Sequence, residues 1–171
     1  ENSLLFSVIE LFGNIPRTLL KEHYRCHPKI IGFCNQKYYN NELIVLTDAG
    51  DTDTPLLLYK TAKGNHARGR YNQRQIDVIC EEVIPTNKII EEKRLTGIIS
   101  PYRDQVSKMN EAIKEDNIEI DTVHKFQGRE KEVIIISTVD NDIKINDFID
   151  NPNLINVAIS RAENKLIIIT S

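Results

Sequence analysis

Two short β-branched runs, Val133 to Ile136 and Leu166 to Ile169, limit what this chain can fold into. Each is far shorter than the roughly 18 apolar residues needed to span a bilayer, and each has the continuous apolar character of a strand buried on both faces. No longer apolar run exists, so the sequence offers no membrane span. The pattern predicts five strands: Leu56 to Tyr59, Leu95 to Ser100, Ile118 to Val123, Val133 to Val139 and Leu166 to Thr170.

Helical patterns alternate with these strands. Leu4 to Phe12 carries apolar residues at helical spacing and stops at Gly13-Asn14, its partners expected elsewhere in the fold. A second helix opens at Pro28, repeats Ile30, Ile31, Phe33, Cys34 and Tyr38 on one face, and ends at Asn40-Asn41. Asn72 and Gln75 have capping-box spacing before a helix expected to continue through Val83. Asp104 to Lys114 turns Val106, Met109 and Ile113 inward, and Pro152 to Ala162 is a last helix opened by proline. Strands interleaved with helices imply βαβ crossovers and an α/β three-layer domain around a mostly parallel sheet, with ligands expected beyond the carboxyl ends of the strands.

Composition narrows the function classes. The chain has 171 residues, 40% hydrophobic and 27% charged, which suits one globular domain. A net charge of -3 argues against a wholly basic nucleic-acid-coating protein, although Lys60, Lys63, Arg68, Arg70 and Arg74 form a local basic stretch free of acidic residues. That stretch, with Gly64 and Gly69, reads as a loop able to contact phosphates. Thr47 to Pro55 reads as a polar surface loop. Three cysteines without framework spacing fit reduced thiols, the first residue is Glu1, and no secretory leader follows; the expectation is a cytoplasmic piece of a longer protein. Zinc is disfavoured, because His23, Cys26, His27 and Cys34 supply at most one ligand pair.

Chemistry concentrates in three clusters at strand-loop junctions: Tyr24-Arg25-Cys26-His27-Pro28, the segment from Thr122 to Glu130, and Asn156 to Ala162. Each brings an arginine beside small or turn-permitting residues, an arrangement that lets a guanidinium meet a phosphate bidentately. From the residues alone this is phosphate binding. His27 is read as a helix-start residue and His124 as structural.

Taken together, LLKEHYRCHPKI with FCNQKYYNNEL, GIISPYRDQV, DTVHKFQGREKEVIIIST and NPNLINVAISRAENKLIII resemble, in order, the second RecA-like motor domain of superfamily 1 helicases, in particular the Upf-like group. The resemblance covers nearly the whole chain. It implies a three-layer fold of the P-loop NTPase type, with residues 1–45 as lead-in helices and residues 56–171 as the main α/β core. It further implies that Arg25 and Arg161 reach the γ-phosphate of ATP, that Tyr24 stacks on the adenine, that Glu130 contacts the ribose and that Gly128 makes the tight turn before it. Pro101, Tyr102, Arg103, Thr122 and Val123 become candidates for contact with single-stranded DNA or RNA, and membership of the Upf-like group would imply 5′→3′ movement.

The sequence departs from that pattern at His124, where the family usually has aspartate, at Asn153 and Leu154, where it has arginines, and at Glu163, where it has a basic residue. A larger absence is the phosphate cradle. A P-loop needs Gly-Lys followed by Ser or Thr, and none of the seven glycines is followed by lysine. No Asp-Glu dipeptide is present to position magnesium. ATP with Mg2+ is therefore expected to be held by an upstream RecA-like domain of the same protein. The competing expectation is a catalytically degenerate RecA-like module that binds nucleic acid or protein, with its arginines as structural remnants.

Overall fold

The computed structural model describes residues 4–14, 16, 18, 20–50, 54–63, 67–140 and 151–171. Its elements in chain order are α1 (Leu4–Leu11), β1 (Glu22–His23), α2 (Pro28–Tyr38), β2 (Ile44–Val45), β3 (Leu56–Lys60), β4 (Ala67–Arg68), β5 (Tyr71–Asn72), α3 (Gln73–Val78) running through a π segment (Ile79–Val83) into α4 (Ile84–Thr86), β6 (Thr96–Ser100), α5 (Arg103–Ala112), β7 (Ile118–Thr122), a 3-10 turn (Val123–Phe126), β8 (Lys131–Ser137), α6 (Pro152–Ile159) and β9 (Ala162–Thr170).

All five anticipated strands form, in one sheet of order β3-β9-β8-β6-β7 with every pairing parallel. β-strand geometry sends alternate side chains to opposite faces, and β8 follows it. Val133 and Ile135 join Met109, Val106, Ile79 and Val83 on the face covered by α3, its π continuation and α5. Ile134 packs on the other face with Ile30, Ile31 and Cys34 of α2, Ala158 and Ile159 of α6, and Phe126. Helices on both faces of a parallel sheet make the three layers.

α2 is therefore part of a layer. The expectation that residues 1–45 merely lead into a core beginning at residue 56 is corrected here, because the inward stripe of α2 is buried against the sheet. Its boundaries follow from local chemistry. His27 caps the amino end by accepting a hydrogen bond from the Lys29 amide at 3.1 Å, and Pro28 enters where no donor is lost. Asn40 and Asn41 end it with left-handed backbone, φ 50° and 60°. α1 forms as its periodicity predicts, yet Leu4, Leu11 and Phe12 remain exposed.

Two expectations need adjustment. The capping box at α3 is one-sided. Asn72 Oδ1 accepts from the Gln75 amide at 3.2 Å, but Gln75 does not return the bond, and the Asn72 amide donates instead to Gln105 Oε1 at 2.8 Å. The helix also widens into the π segment before Val83. Pro85 has no amide hydrogen and its ring crowds the carbonyl four residues earlier, and the wider turn relieves that clash, with the Ile84 amide bonded to Ile79 O. The two-residue pairs β1/β2 and β4/β5 carry too little pattern to be anticipated.

The connection from β7 to β8 is unusually short for a parallel crossover. It descends the face of β6 as the 3-10 turn and residues 127–130, and Phe126 lies directly over Gly97. A Cβ at position 97 would sit 2.6 Å from the Phe126 ring and 2.7 Å from Ile134 Cδ1, so glycine permits this close passage. One segment thus joins the two ends of the sheet.

Candidate functional site: two ends of one sheet

Arg161 immediately precedes β9 and Glu130 immediately precedes β8, and these strand starts are paired, with the Lys131 amide donating to Arg161 O at 3.0 Å. Both groups consequently lie at the amino ends of the strands. Arg25 joins them because Cys26 and His27 tie its loop to the same place: the His27 amide donates to Glu163 O at 2.7 Å, and the Cys26 thiol donates to Ser160 O at 3.3 Å. The sequence-based expectation that such clusters lie beyond the carboxyl ends is corrected for these three residues. Parallel-sheet rules locate the commonest site, whereas here two loops entering neighbouring strands converge with the loop before α2.

The convergence is tight. Arg25 and Arg161 both donate to the same oxygen, Glu130 Oε1, at 2.8 and 2.9 Å. Their surroundings differ. The Arg161 side chain is only 14% exposed and also donates to Val157 O at 3.2 Å and Ser160 Oγ at 3.1 Å, whereas the Arg25 side chain is 49% exposed and faces outward. Gly128 supplies the tight turn ahead of Glu130 with φ 75° and open space around it.

Beside Arg25 opens a cleft of about 430 Å³ lined by Tyr24, His27, Leu46, Thr47, Asp48 and Asn164 among others. Tyr24 is 66% exposed, its hydroxyl bonded to Glu22. Sequence reasoning found Tyr24 and Arg25 but not Thr47, whose hydroxyl donates to Cys26 O at 2.7 Å and fastens the opposite wall. No motif flags Thr47; only the fold brings it there. Burial and the nearby Arg25 guanidinium lower the pKa of His23, which as neutral acceptor takes the Cys26 amide at 2.9 Å. Burial pushes the Cys26 thiol up to about 11, so this cysteine is a packing residue and a weak donor rather than a nucleophile.

At the opposite end, the carboxyl ends of β6 and β7, lies a second cleft of about 600 Å³ lined by Pro101, Arg103, Asn110, Thr122, His124 and Lys125 among others. Tyr102 stands at the start of α5 and donates to Asp140 Oδ2 at 2.7 Å. Val123, by contrast, is 3% exposed and packs in the core, so its side chain is not available to a nucleic acid. The basic stretch from Lys60 to Arg74 is described only in part: Gly64 and its two successors, and the Arg68 side chain, lie outside the described residues. Among the described residues no group of three His, Cys, Asp or Glu side chains could hold a metal, and no helix is long and apolar enough to cross a membrane.

The AAA domain family profile matches residues 1–171. The chain belongs to the AAA domain family. Within it, the chain is a C-terminal RecA-like domain of the superfamily 1 helicase type. It is 28% identical over 203 residues to the DNA polymerase alpha-associated DNA helicase A of Saccharomyces cerevisiae, covering 99% of this chain and 30% of that protein. It is 32% identical over 178 residues to an ATP-dependent helicase of Methanocaldococcus jannaschii, covering 89% of this chain and 26% of that one. A 78-residue stretch is 41% identical to the DNA replication ATP-dependent helicase/nuclease DNA2 of Gallus gallus, covering 43% of this chain and 8% of that protein. The chain spans less than a third of the length of these curated relatives. Among solved structures, the C-terminal domain of a possible DNA helicase from Lactobacillus plantarum shares the fold, with a TM-score of 0.55 at 15% identity over 86% of each chain.

Proposed function

We propose that this domain is the second motor half of an ATP-dependent helicase or translocase on single-stranded DNA or RNA, working in an intracellular, reducing compartment. Its amino-end cluster completes the site for an ATP that an upstream P-loop domain of the same protein holds. The observation that carries the reading is the pair of arginines, far apart in sequence, resting on one carboxylate oxygen of Glu130. A lone carboxylate holding two guanidiniums leaves unused donors, and a phosphate with three equatorial oxygens is a better match.

On this reading Arg161 is the fixed member, locked by Val157 O and Ser160 Oγ, and Arg25 is the member free to swing from Glu130 to the γ-phosphate. Negative charge accumulates on the equatorial oxygens as the phosphoryl group transfers, and an arginine placed there can contribute about 10³ to 10⁵ in rate. Glu130, once relieved of Arg25, is positioned to accept from a ribose hydroxyl, and Tyr24 to stack on the base. Magnesium supplies charge neutralisation between phosphates when bound, but no described residues of this chain fit it, so it would be held upstream.

The carboxyl-end cleft at Pro101, Arg103 and Thr122, with Tyr102 beside it, would take the single strand through phosphate contacts and stacking, which suits a motor that must not read sequence. The segment from Thr122 to Glu130 starts at this cleft and ends at the arginine cluster, so a shift at either end is delivered to the other.

The test is strand-stimulated ATP hydrolysis by the full-length protein against its Arg25→Ala and Arg161→Ala variants. The expected result is retained binding of a fluorescent ATP analogue with turnover reduced by at least about a hundredfold in each. The degenerate-module reading is favoured by one observation, the three side-chain bonds that occupy Arg161. Unchanged turnover, or a full-length protein that hydrolyses nothing, would establish it.

A further inference from the structure

Val139 is a buried, β-branched residue, 1% exposed, with φ 69°. Branching at Cβ makes that backbone region costly for valine, and nothing within the residue itself favours it. The Asp140 amide donates back to Thr138 O at 2.8 Å, closing a three-residue γ-turn of the rare, positive-φ type around Val139. This turn takes the chain off the end of β8 and delivers Asp140 to the Tyr102 hydroxyl at 2.7 Å.

Two side chains hold the turn from outside. Gln75 Oε1 accepts from the Val139 amide at 3.0 Å, and Asn72 Nδ2 donates to Val139 O at 3.0 Å. Both backbone polar groups of the strained residue are thus claimed by side chains from the start of α3. The grip is itself braced. Ser137 Oγ donates to Gln75 Oε1 at 2.8 Å, Gln105 Nε2 donates to Ser137 Oγ at 2.9 Å, and Gln105 Oε1 accepts from the Asn72 amide. At the end of β9, Gln75 Nε2 reaches Ser171 Oγ at 3.0 Å. Asn72, Gln75, Gln105 and Ser137 are all buried, and a satisfied polar network in a low-dielectric core fixes geometry because each unmade bond is expensive.

A strained residue persists where surrounding structure over-determines it, and such positions cluster at functional sites. We infer that Gln75, with Asn72, is a positioning residue for the nucleic-acid face: it clamps the Val139 turn so that Asp140 orients Tyr102 beside Pro101 and Arg103. The inference rests on the proposed function, since it assigns the clamp to the strand-binding end of the domain. Gln75 touches neither cleft.

The experiment is titration of a fluorescein-labelled oligothymidylate or oligouridylate onto the full-length protein, with backbone amide exchange read on the same samples. Gln75→Leu is expected to expose the Val139 and Asp140 amides to exchange while Ile134 to Ile136 stay protected, and to weaken oligonucleotide binding about tenfold with unstimulated ATP hydrolysis unchanged. Adding Val139→Gly in the Gln75→Leu background tests the mechanism, because glycine adopts the turn without a clamp. Binding should then recover most of the loss. A Gln75 that acts only as a packing residue predicts no recovery, and that result overturns the inference. Unchanged affinity in Gln75→Leu, when the parent binds the oligonucleotide, overturns it as well and leaves the proposed function standing. A parent that binds neither oligonucleotide overturns the strand-binding reading and this inference together.

Discussion

At the amino ends of β8 and β9 the polar groups are charged and in part solvent-facing, whereas behind the carboxyl-end cleft the network of Asn72, Gln75, Gln105 and Ser137 is built of neutral amides and a hydroxyl sealed in the core. The two ends share a sheet but not a chemistry. A guanidinium on a carboxylate can trade partners when a phosphate arrives, since one anion replaces another and little desolvation is added. A buried glutamine bonded to a serine and a strained amide cannot be exchanged so readily. Exchangeable contacts suit the end proposed to meet ATP, and fixed contacts suit the end proposed to present a surface to a strand.

The sharpest way to break the comparison is to damage what joins the two ends. Gly97→Ala places a methyl group 2.6 Å from Phe126 and 2.7 Å from Ile134, so the segment over β6 must lift or the strand must bow. Overpacking of this kind costs about 1–3 kcal/mol, and for a domain of this size each kcal/mol lowers Tm by about 2–4 °C. Thermal unfolding should show a drop of several degrees. Strand-stimulated turnover should fall further than basal turnover, because the displaced segment carries Thr122 at one end and Glu130 at the other; equal falls in both would mean the ends are not linked through it.

A smaller effect separates the two arginines. Arg161→Ala removes bonds to Val157 O and Ser160 Oγ and strips a partly buried Glu130 of one partner, a loss of about 1–3 kcal/mol. Arg25→Ala removes a half-exposed ion pair, and such pairs contribute at most about 1 kcal/mol. Denaturant unfolding should rank Arg161→Ala clearly below Arg25→Ala. Equal midpoints would contradict the fixed and swinging roles assigned to them.

Much of this was legible in the residues. Proline at helix starts and β-branched runs for the central strands specify the layers, because those signals are local and strong. Arg25, Glu130 and Arg161 were legible as a set through their motifs, yet not as a cluster at the amino ends, since their meeting depends on which strands become neighbours. The second role of Gln75 was hidden for a related reason. Its spacing from Asn72 is that of a capping box, and only the tertiary structure diverts its side chain to Ser137 and Val139. Val123 carries the opposite lesson: its motif position pointed to ligand contact, but a valine following a strand end is drawn into the core by its own apolarity.

The smallest expected effect concerns acid, and it is confined to one end. Glu119, at the amino end of β7, is pushed up by burial, but hydrogen bonds and charge from Lys131 and Arg129 outweigh that and leave its carboxyl below the ordinary value of 4.5. Its Oε2 lies 2.9 Å from Lys131 Nζ, and its other oxygen accepts from Arg129. A carboxyl whose folded pKa is depressed holds a proton less readily in the folded state than in the unfolded chain. Its stabilising contribution is therefore present above pH 4.5 and is lost as pH falls through the folded value. Glu119→Gln should remove that contribution, so unfolding midpoints of variant and parent should differ at pH 7 and converge as the pH is lowered below 4.5. Gln105→Leu at the carboxyl end breaks a network whose described members, Asn72, Gln75, Gln105 and Ser137, are all neutral, and its deficit relative to the parent should stay constant over the same range. A deficit for Gln105→Leu that narrows with acid in step with that of Glu119→Gln would mean that the carboxyl end also depends on charge, and the contrast between the two ends would fail.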